Sequence, residues 1–254
     1  DVRVVSIVHT SPVTGMTVDL EKITKEVRNV TPDCIIIVDG IQHSSHGAID
    51  VQKYDIDGYV VSPYKMFSRH GYGVAWASDR LCTLNKEQLT GGPFQNWELG
   101  TRDAGSYATF SDVVDYLDWL GSNFTESENT RERLEASSIA IKSHEQELVD
   151  LVINGAEDIV GLRNNKKIQI IGTSDSKFRE GVVSFFQKNK PSSIIVEELR
   201  QRKIRVHIRK DDHYCGNILG PLNQKDCIRF SICHYNSKAE VVAFLRAINE
   251  ISAN

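Results

Sequence analysis

Asp39, Gln42, Ser62 and Lys65 have the types and spacing to do chemistry together. They lie in one stretch from Ile35 to Trp76, IIIVDGIQHSSHGAIDVQKYDIDGYVVSPYKMFSRHGYGVAW. The apolar run Cys34–Val38 is short and β-branched, which predicts a strand covered on both faces. It ends directly in Asp39, and Gly40 then allows a tight turn. A second apolar run, Gly58–Val61, ends in the polar cluster Ser62–Lys65. In open α/β sheets, ligands collect where the carboxyl ends of strands meet their loops. Two adjacent strands of this kind would deliver an acid, an amide, a hydroxyl and an amine to one sheet edge.

A lysine that forms a Schiff base with pyridoxal phosphate needs such a set. A carboxylate facing the pyridinium nitrogen keeps the ring protonated and electron-poor, while hydroxyl and amide groups serve the phosphate and the phenolic oxygen. The pattern V-D-G-x-Q, then a strand, then S-x-x-K and a glycine-rich turn, resembles the class V aminotransferases of the fold-type I pyridoxal-phosphate enzymes. Cysteine desulfurases, selenocysteine lyases and isopenicillin N epimerase-like proteins belong to that family. The resemblance implies that Lys65 carries pyridoxal 5′-phosphate, Asp39 pairs with the ring nitrogen, Gln42 approaches the ring oxygen or the imine, and Ser62 binds phosphate. One position departs from the desulfurase branch, where His commonly precedes the lysine. Here Tyr64 stands there; a phenol can donate to phosphate but cannot supply imidazole acid–base chemistry.

The elements that must position these groups are legible from periodicity. Val2–Val8 reads as a buried strand, and residues 19–30 as a helix capped near Asp19, with Leu20, Ile23 and Val27 at helical spacing. Strand, helix, strand makes a βαβ unit and implies a parallel sheet. Between strand and helix, Thr10-Ser-Pro-x-Thr-Gly15 is similar to a family loop that faces substrate, although Pro12 stands where desulfurases usually have Asn. His43 and His46 are spaced H-x-x-H, but zinc needs three or four converging ligands; they read as loop histidines lining a cleft. Gly71–Ser78 reads as a further strand. The loop from Gly91 to Arg102 is rich in glycine and aromatics and is similar to the family's E-x-G-T segment. That similarity implies that Thr101 reaches the cofactor phosphate of a neighbouring subunit in a homodimer.

Residues 106–121 form an amphipathic pattern with Phe110, Val113, Val114, Leu117 and Leu120 on one stripe and the aromatics in the core. Residues 130–162 read as a long helical stretch interrupted near Asn154-Gly155. From Lys166 the pattern changes to short strands and two helices, an α+β layer with helices on one side of a small sheet. Within it, Arg229 alternates with apolar Ile228, Phe230 and Ile232, so its guanidinium faces away from the core, where it can grip a carboxylate bidentately. The family's R-x-S strand, matched by Arg229-Phe-Ser231, implies that Arg229 binds the substrate α-carboxylate. The segment His213-Tyr-Cys215 resembles the desulfurase H-x-C loop. That implies a substrate-binding His213 and a sulfur-accepting Cys215 on a polar loop, where a thiolate would be reactive.

The chain has 254 residues, is 40% hydrophobic and 25% charged, and carries a net charge of −4, an ordinary globular composition. Mild acidity without basic blocks argues against a nucleic-acid surface. No apolar run reaches spanning length and no signal-peptide pattern opens the chain. The five scattered cysteines suit a reducing compartment, hence a cytoplasmic setting. The resemblance covers nearly the whole chain but matches only the later part of such an enzyme. The portion supplying the ring-stacking aromatic and the phosphate loop has no counterpart. The expected architecture is α/β: a partial, parallel-rich large domain over 1–125, a bridging helical segment over 126–163, and a small α+β domain over 164–254. The expected function is pyridoxal-phosphate chemistry on an amino acid, foremost desulfurase-like C–S cleavage. Epimerisation, another C–S lyase reaction, transamination or a non-catalytic module are the alternatives.

Overall fold

In the computed structural model, which describes residues 2–93, 96–101 and 103–253, the predicted βαβ unit is the start of the fold. Strand β1 is Val4–Val8, helix α1 is Leu20–Val30 and strand β2 is Ile35–Asp39. The Asp19 carboxylate caps α1 by accepting from Lys22 N at 3.1 Å, satisfying one of the amides that a helix start leaves open. β1 and β2 pair in parallel with Val8 opposite Asp39. Strand β3 (Gly58–Val61) continues the parallel ladder, and β4 (Val74–Ala77) adds to it antiparallel, giving the order β1-β2-β3-β4. Leu20 of α1 packs with Ile36, Val38, Ile56, Tyr59 and Val61 on one side of this sheet.

A short turn α2 (Asp79–Cys82), a helix α3 (Ala104–Gly121) and a long helix α4 (Thr130–Asn154) follow. Two expectations are corrected here. β1 is not buried: it is an edge strand, and Val4 is 58% exposed, because among the described residues no layer covers its Val4 and Val8 face. The aromatics of α3 are not all core either. Tyr107 and Trp119 are exposed, and of the predicted stripe only Val113 is fully buried.

The chain forms two units, Asp1–Thr10 with Val18–Ala140, and Ser11–Thr17 with Ile141–Asn254, and it passes from the first to the second within α4. Gly155, at φ +80, ends that helix where the sequence predicts an interruption, and β5 (Gly155–Ala156) pairs at once with β6 (Ile159–Val160). The second unit then lays down β7 (Ile168–Ile170), β8 (Val182–Gln187), α5 (Ser192–Gln201), β9 (His207–Lys210), α6 (Gly216–Leu219), β10 (Asp226–Ser231) and α7 (Lys238–Ala253). Its sheet has the order β7-β8-β10-β9 and is antiparallel throughout. Val183, Phe185 and Ile228 point from one face into a core shared with Leu148, Val152, Ile195, Leu199, Phe244 and Ile248. Helices α4, α5 and α7 pack on that face, whereas Leu219 of α6 clusters with Phe186 and Cys227 of the other face, so the helices do not all lie on one side, where the sequence puts them.

The segment Ser11–Thr17 belongs with this second sheet. Ser184 Oγ donates to Val13 O, and the buried Arg179 guanidinium donates to Thr14 O, to Thr173 O at 2.6 Å and to Ile171 O at 2.5 Å. Burial pulls Arg179 down to about 10, so it remains a cation at neutral pH, solvated by carbonyls in place of water.

The first unit has its own buried charge. Asp57, just ahead of β3, accepts from Ile36 N at 2.8 Å, Arg28 Nη2 at 3.0 Å, and Arg80 Nε at 2.7 Å and Nη2 at 2.5 Å. Burial alone would raise its carboxyl; the bonds from Arg80, Ile36 and Arg28 outweigh that and hold it at about 2. Breaking such a cluster by removing its acid leaves cations facing a carbonyl-lined interior. Asp57→Asn is expected to cost about 3 kcal/mol of unfolding free energy. Because the folded value of about 2 lies below the unfolded one, the Asp57 contribution is complete above about pH 4 and lost as pH falls toward 2. Denaturant titrations of both proteins across that interval check it: the gap between them should shrink as the solution is acidified.

Candidate active site

In the first unit, Val38 lies opposite Tyr59 and Asp39 opposite Val60, so β2 and β3 end side by side. Asp39 is half-buried at the end of β2. Its carboxylate accepts from Ile41 N at 3.0 Å, while Gly40 N continues the ladder to Val60 O at 2.9 Å, a side-chain turn of the kind Asp favours. Only glycine fits the corner, because a Cβ on Gly40 would sit 2.1 Å from the Tyr59 ring. From β3, Ser62 stays extended and Pro63–Met66 forms a single 3-10 turn, for which the fixed φ of Pro63 is preset. Phe67 closes that turn in the left-handed region at φ 70.

This turn brings Lys65 to Gln42. Lys65 Nζ donates to Gln42 Oε1 at 3.0 Å, which fixes the amide so that Gln42 Nε2 faces His46 Nε2 at 3.1 Å. An ammonium can only donate and an amide nitrogen can only donate, so His46 Nε2 accepts and its own proton sits on Nδ1. The result is a directional chain from lysine to amide to neutral imidazole, next to the strand-end carboxylate.

Behind it lies a histidine cluster that the sequence does not reveal. His9 N bonds Asp39 O at 2.9 Å, its ring stacks on His43 with centroids 3.6 Å apart, and its Nδ1 pairs with Tyr59 OH at 2.8 Å. His43 Nε2 donates to Ala48 O at 3.1 Å. His43 and His46 are therefore buried, not lining a cleft, and their spacing serves this packing. Among the described residues no group of three metal-ligating side chains converges.

The remaining predicted residues of this unit are arranged as follows. Ser62 is half-buried beside the 3-10 turn. Tyr64 is well exposed and stacks on His70, with centroids 4.3 Å apart. Thr101 is exposed in an irregular segment where Lys86 Nζ lies 5.3 Å from the Trp97 ring centroid. Phe94, Gln95 and Arg102 of the same loop lie outside the described residues.

Three predicted residues belong to the second unit. Arg229 projects from the sheet face opposite α4, α5 and α7 and donates to Pro12 O at 3.0 Å, which ties it to the Ser11–Thr17 segment. His213 is exposed and packs on Tyr214, with centroids 4.0 Å apart. Cys215 is not on an exposed polar loop as the sequence suggests. It is 1% exposed, in a cluster with Val13, Ile171, Phe186, Leu219 and Cys227. The Asp212 carboxylate causes this by accepting from Tyr214 N at 2.9 Å and Cys215 N at 3.1 Å; the tight turn swings Tyr214 outward and Cys215 inward. Its neighbour Cys227 is pushed up to about 11 by burial, with Cys215 adding to the effect.

The aminotransferase class-V family pattern matches residues 1–244. This chain belongs to the class-V aminotransferase family. An aminotransferase-like protein of Gibberella zeae is 27% identical over 98% of the chain and 59% of its own length. A cysteine desulfurase-like protein of Aspergillus flavus is 26% identical over 98% of the chain and 54% of its own length. The apo cysteine desulfurase of Thermococcus onnurineus has the same fold, with a TM-score of 0.77 at 20% identity over 99% of this chain and 60% of that one. The chain thus spans little more than half the length of these relatives. The α/β sheet followed by a small α+β layer is the family fold.

The placement of Cys215 is open to direct measurement. In the folded chain, Cys215 and Cys227 are expected to resist maleimide while half-exposed Cys82 reacts, and all should react in denaturant. Peptide mapping after a timed pulse checks this; rapid native labelling of Cys215 would return it to the surface.

Proposed function

We propose that this chain is the later part of a pyridoxal-phosphate enzyme that acts on an amino acid through Lys65. The observation that carries the reading is the Lys65 amine held by Gln42 at 3.0 Å on the sheet edge where Asp39 ends β2. The donor set suits the cofactor: an amine to link it, a carboxylate for its ring nitrogen, an amide for the ring oxygen, and the Ser62 and Tyr64 hydroxyls for phosphate. When bound, pyridoxal phosphate supplies an electron sink for charge developing at the substrate Cα.

The chain's own residues would divide the remaining work. Gln42 orients Lys65, and His46 orients Gln42, so the amine is aimed before it reacts. Lys65 would link the cofactor, and its amine would be placed to take and return the Cα proton of the substrate. Asp39, held by Ile41 N, would face the ring nitrogen and favour its protonated form. Arg229 takes the substrate α-carboxylate, with His213 as a further substrate contact. Thr101 reaches the phosphate of a partner in a homodimer. The free cysteines suit a cytoplasmic setting.

Similarity to cysteine desulfurases favours C–S cleavage as the reaction. Burial of Cys215 favours a second reading, in which that sulfur is not the acceptor and the same groups run another lyase reaction, epimerisation or transamination. The retained Asp39, Gln42, Ser62 and Lys65 speak against a non-catalytic module.

The test is the absorption spectrum of the full-length protein with pyridoxal phosphate, before and after borohydride. A pyridoxyl label is expected on Lys65, and Lys65→Ala should lose both label and turnover, the latter by at least about a thousandfold. A protein that takes up no cofactor would overturn the enzyme reading.

A further inference from the structure

Within the first unit, the turn that presents Lys65 is followed at once by a return segment, Ser68 to His70, that helix α3 pins in place. Ser68 Oγ donates to Thr109 Oγ1 at 3.0 Å and pairs with Tyr72 OH at 2.6 Å. Ser68 N closes back on Pro63 O at 3.1 Å. The Arg69 guanidinium bonds the Asp103 carboxylate and donates to Ser106 Oγ at 2.5 Å. Asp103 also caps α3 by accepting from Gly105 N at 3.0 Å, so the anchor is part of the helix start itself. The two residues ahead of His70 are thus both committed to α3.

With the segment held on that side, the His70 ring lies over Tyr64, centroids 4.3 Å apart and planes 17° from parallel. A stacked partner restricts a phenol that solvent would otherwise leave in several rotamers. Tyr64 is 40% exposed. Neither its hydroxyl nor the His70 imidazole makes a hydrogen bond or ion pair among the described residues. The pair is therefore fixed through its faces and open at its polar edges. Any two rings could pack here for stability alone. What distinguishes this pair is a hydroxyl left open on the residue that adjoins Lys65.

We propose that His70 is a positioning residue for the phosphate of the cofactor: it holds the Tyr64 phenol so that its hydroxyl is already oriented when that phosphate arrives. This rests on the pyridoxal-phosphate reading above and deepens it. A donor fixed before binding gives up less rotamer freedom on binding, so more of its hydrogen bond appears as affinity. A hydrogen bond to a charged acceptor is the kind for which such fixing matters most. The return segment and its anchors on α3 thereby act on the phosphate through a stacked pair, without touching it.

The test is a binding measurement without turnover. Pyridoxal phosphate and pyridoxal, which lacks the phosphate, are each titrated by absorption into the full-length protein, with borohydride mapping of the labelled lysine. The quantity read is the ratio of the two affinities, which isolates the phosphate from the rest of the molecule. His70→Ala is expected to shrink that ratio about tenfold, and Tyr64→Phe to shrink it at least as much. His70→Phe, which keeps a ring to stack, should restore it. The double variant should lose no more than Tyr64→Phe alone, because a support has no role once the hydroxyl is gone. A packing role alone would lower the melting temperature of His70→Ala and leave the ratio unmoved, and that result overturns the proposal. So does a His70→Phe that fails to restore the ratio, or a double variant whose loss is the product of the single ones. Lys65 labelled with the ratio unmoved refutes this inference alone; no label from either aldehyde refutes the pyridoxal-phosphate reading with it.

Discussion

The register of β2 against β3 is the constraint on which the candidate active edge depends. A slip of one residue would turn Asp39 to the other face of the sheet and separate it from the Ser62–Lys65 turn. Asp57 fixes that register from the opposite end of the strands. Its carboxylate takes Ile36 N at 2.8 Å while its own amide donates to Ile36 O at 2.8 Å, so β2 and the entry to β3 are locked at one point. Arg28 brings in α1 and Arg80 brings in the segment after β4. The chemistry at one edge is positioned by a buried ion cluster at the other.

Much of this fold could be read from the sequence, because its strands and helices are set by local pattern. The run at 34–38, the Asp19 cap and the break at Asn154-Gly155 each declare themselves within a few residues. Asp57 did not, since its arginine partners are 29 and 23 residues away and D-I-D-G reads as an ordinary turn. Arg179 is similar: its acceptors are carbonyls, which carry no sequence signature. The pairing of His9 with Tyr59 spans 50 residues. The candidate site shows the same division. Asp39, Gln42, Ser62 and Lys65 were visible from strand ends, whereas the role of His46 in orienting Gln42 needed three dimensions. Cys215 misled because its neighbours are polar, yet one capping carboxylate is enough to reverse which side chain faces water.

The second sheet illustrates how one layer can serve two purposes. Strict alternation along β8 and β10 puts Val183, Phe185 and Ile228 under the helices and leaves Ser184 and Arg229 on the far face. The core face supplies stability that tolerates little change in volume. The far face carries Phe186 and Cys227 in a second apolar cluster with Leu219 and Val13, and polar contacts tie it to a segment remote in sequence, at Pro12 and Val13. A loop just after β1 is thereby tied to the element that carries Arg229.

The outer position of β1 has a consequence of a different kind. Val4 and Val8 stand exposed on a strand that, among the described residues, pairs in its sheet with β2 alone. An apolar strand with an open edge is a template for any extended segment that reaches it. This polypeptide, handled as a free chain, would therefore be prone to recruit β-structure along that edge. Its colloidal behaviour would be governed less by its net charge than by how well one short strand is kept covered.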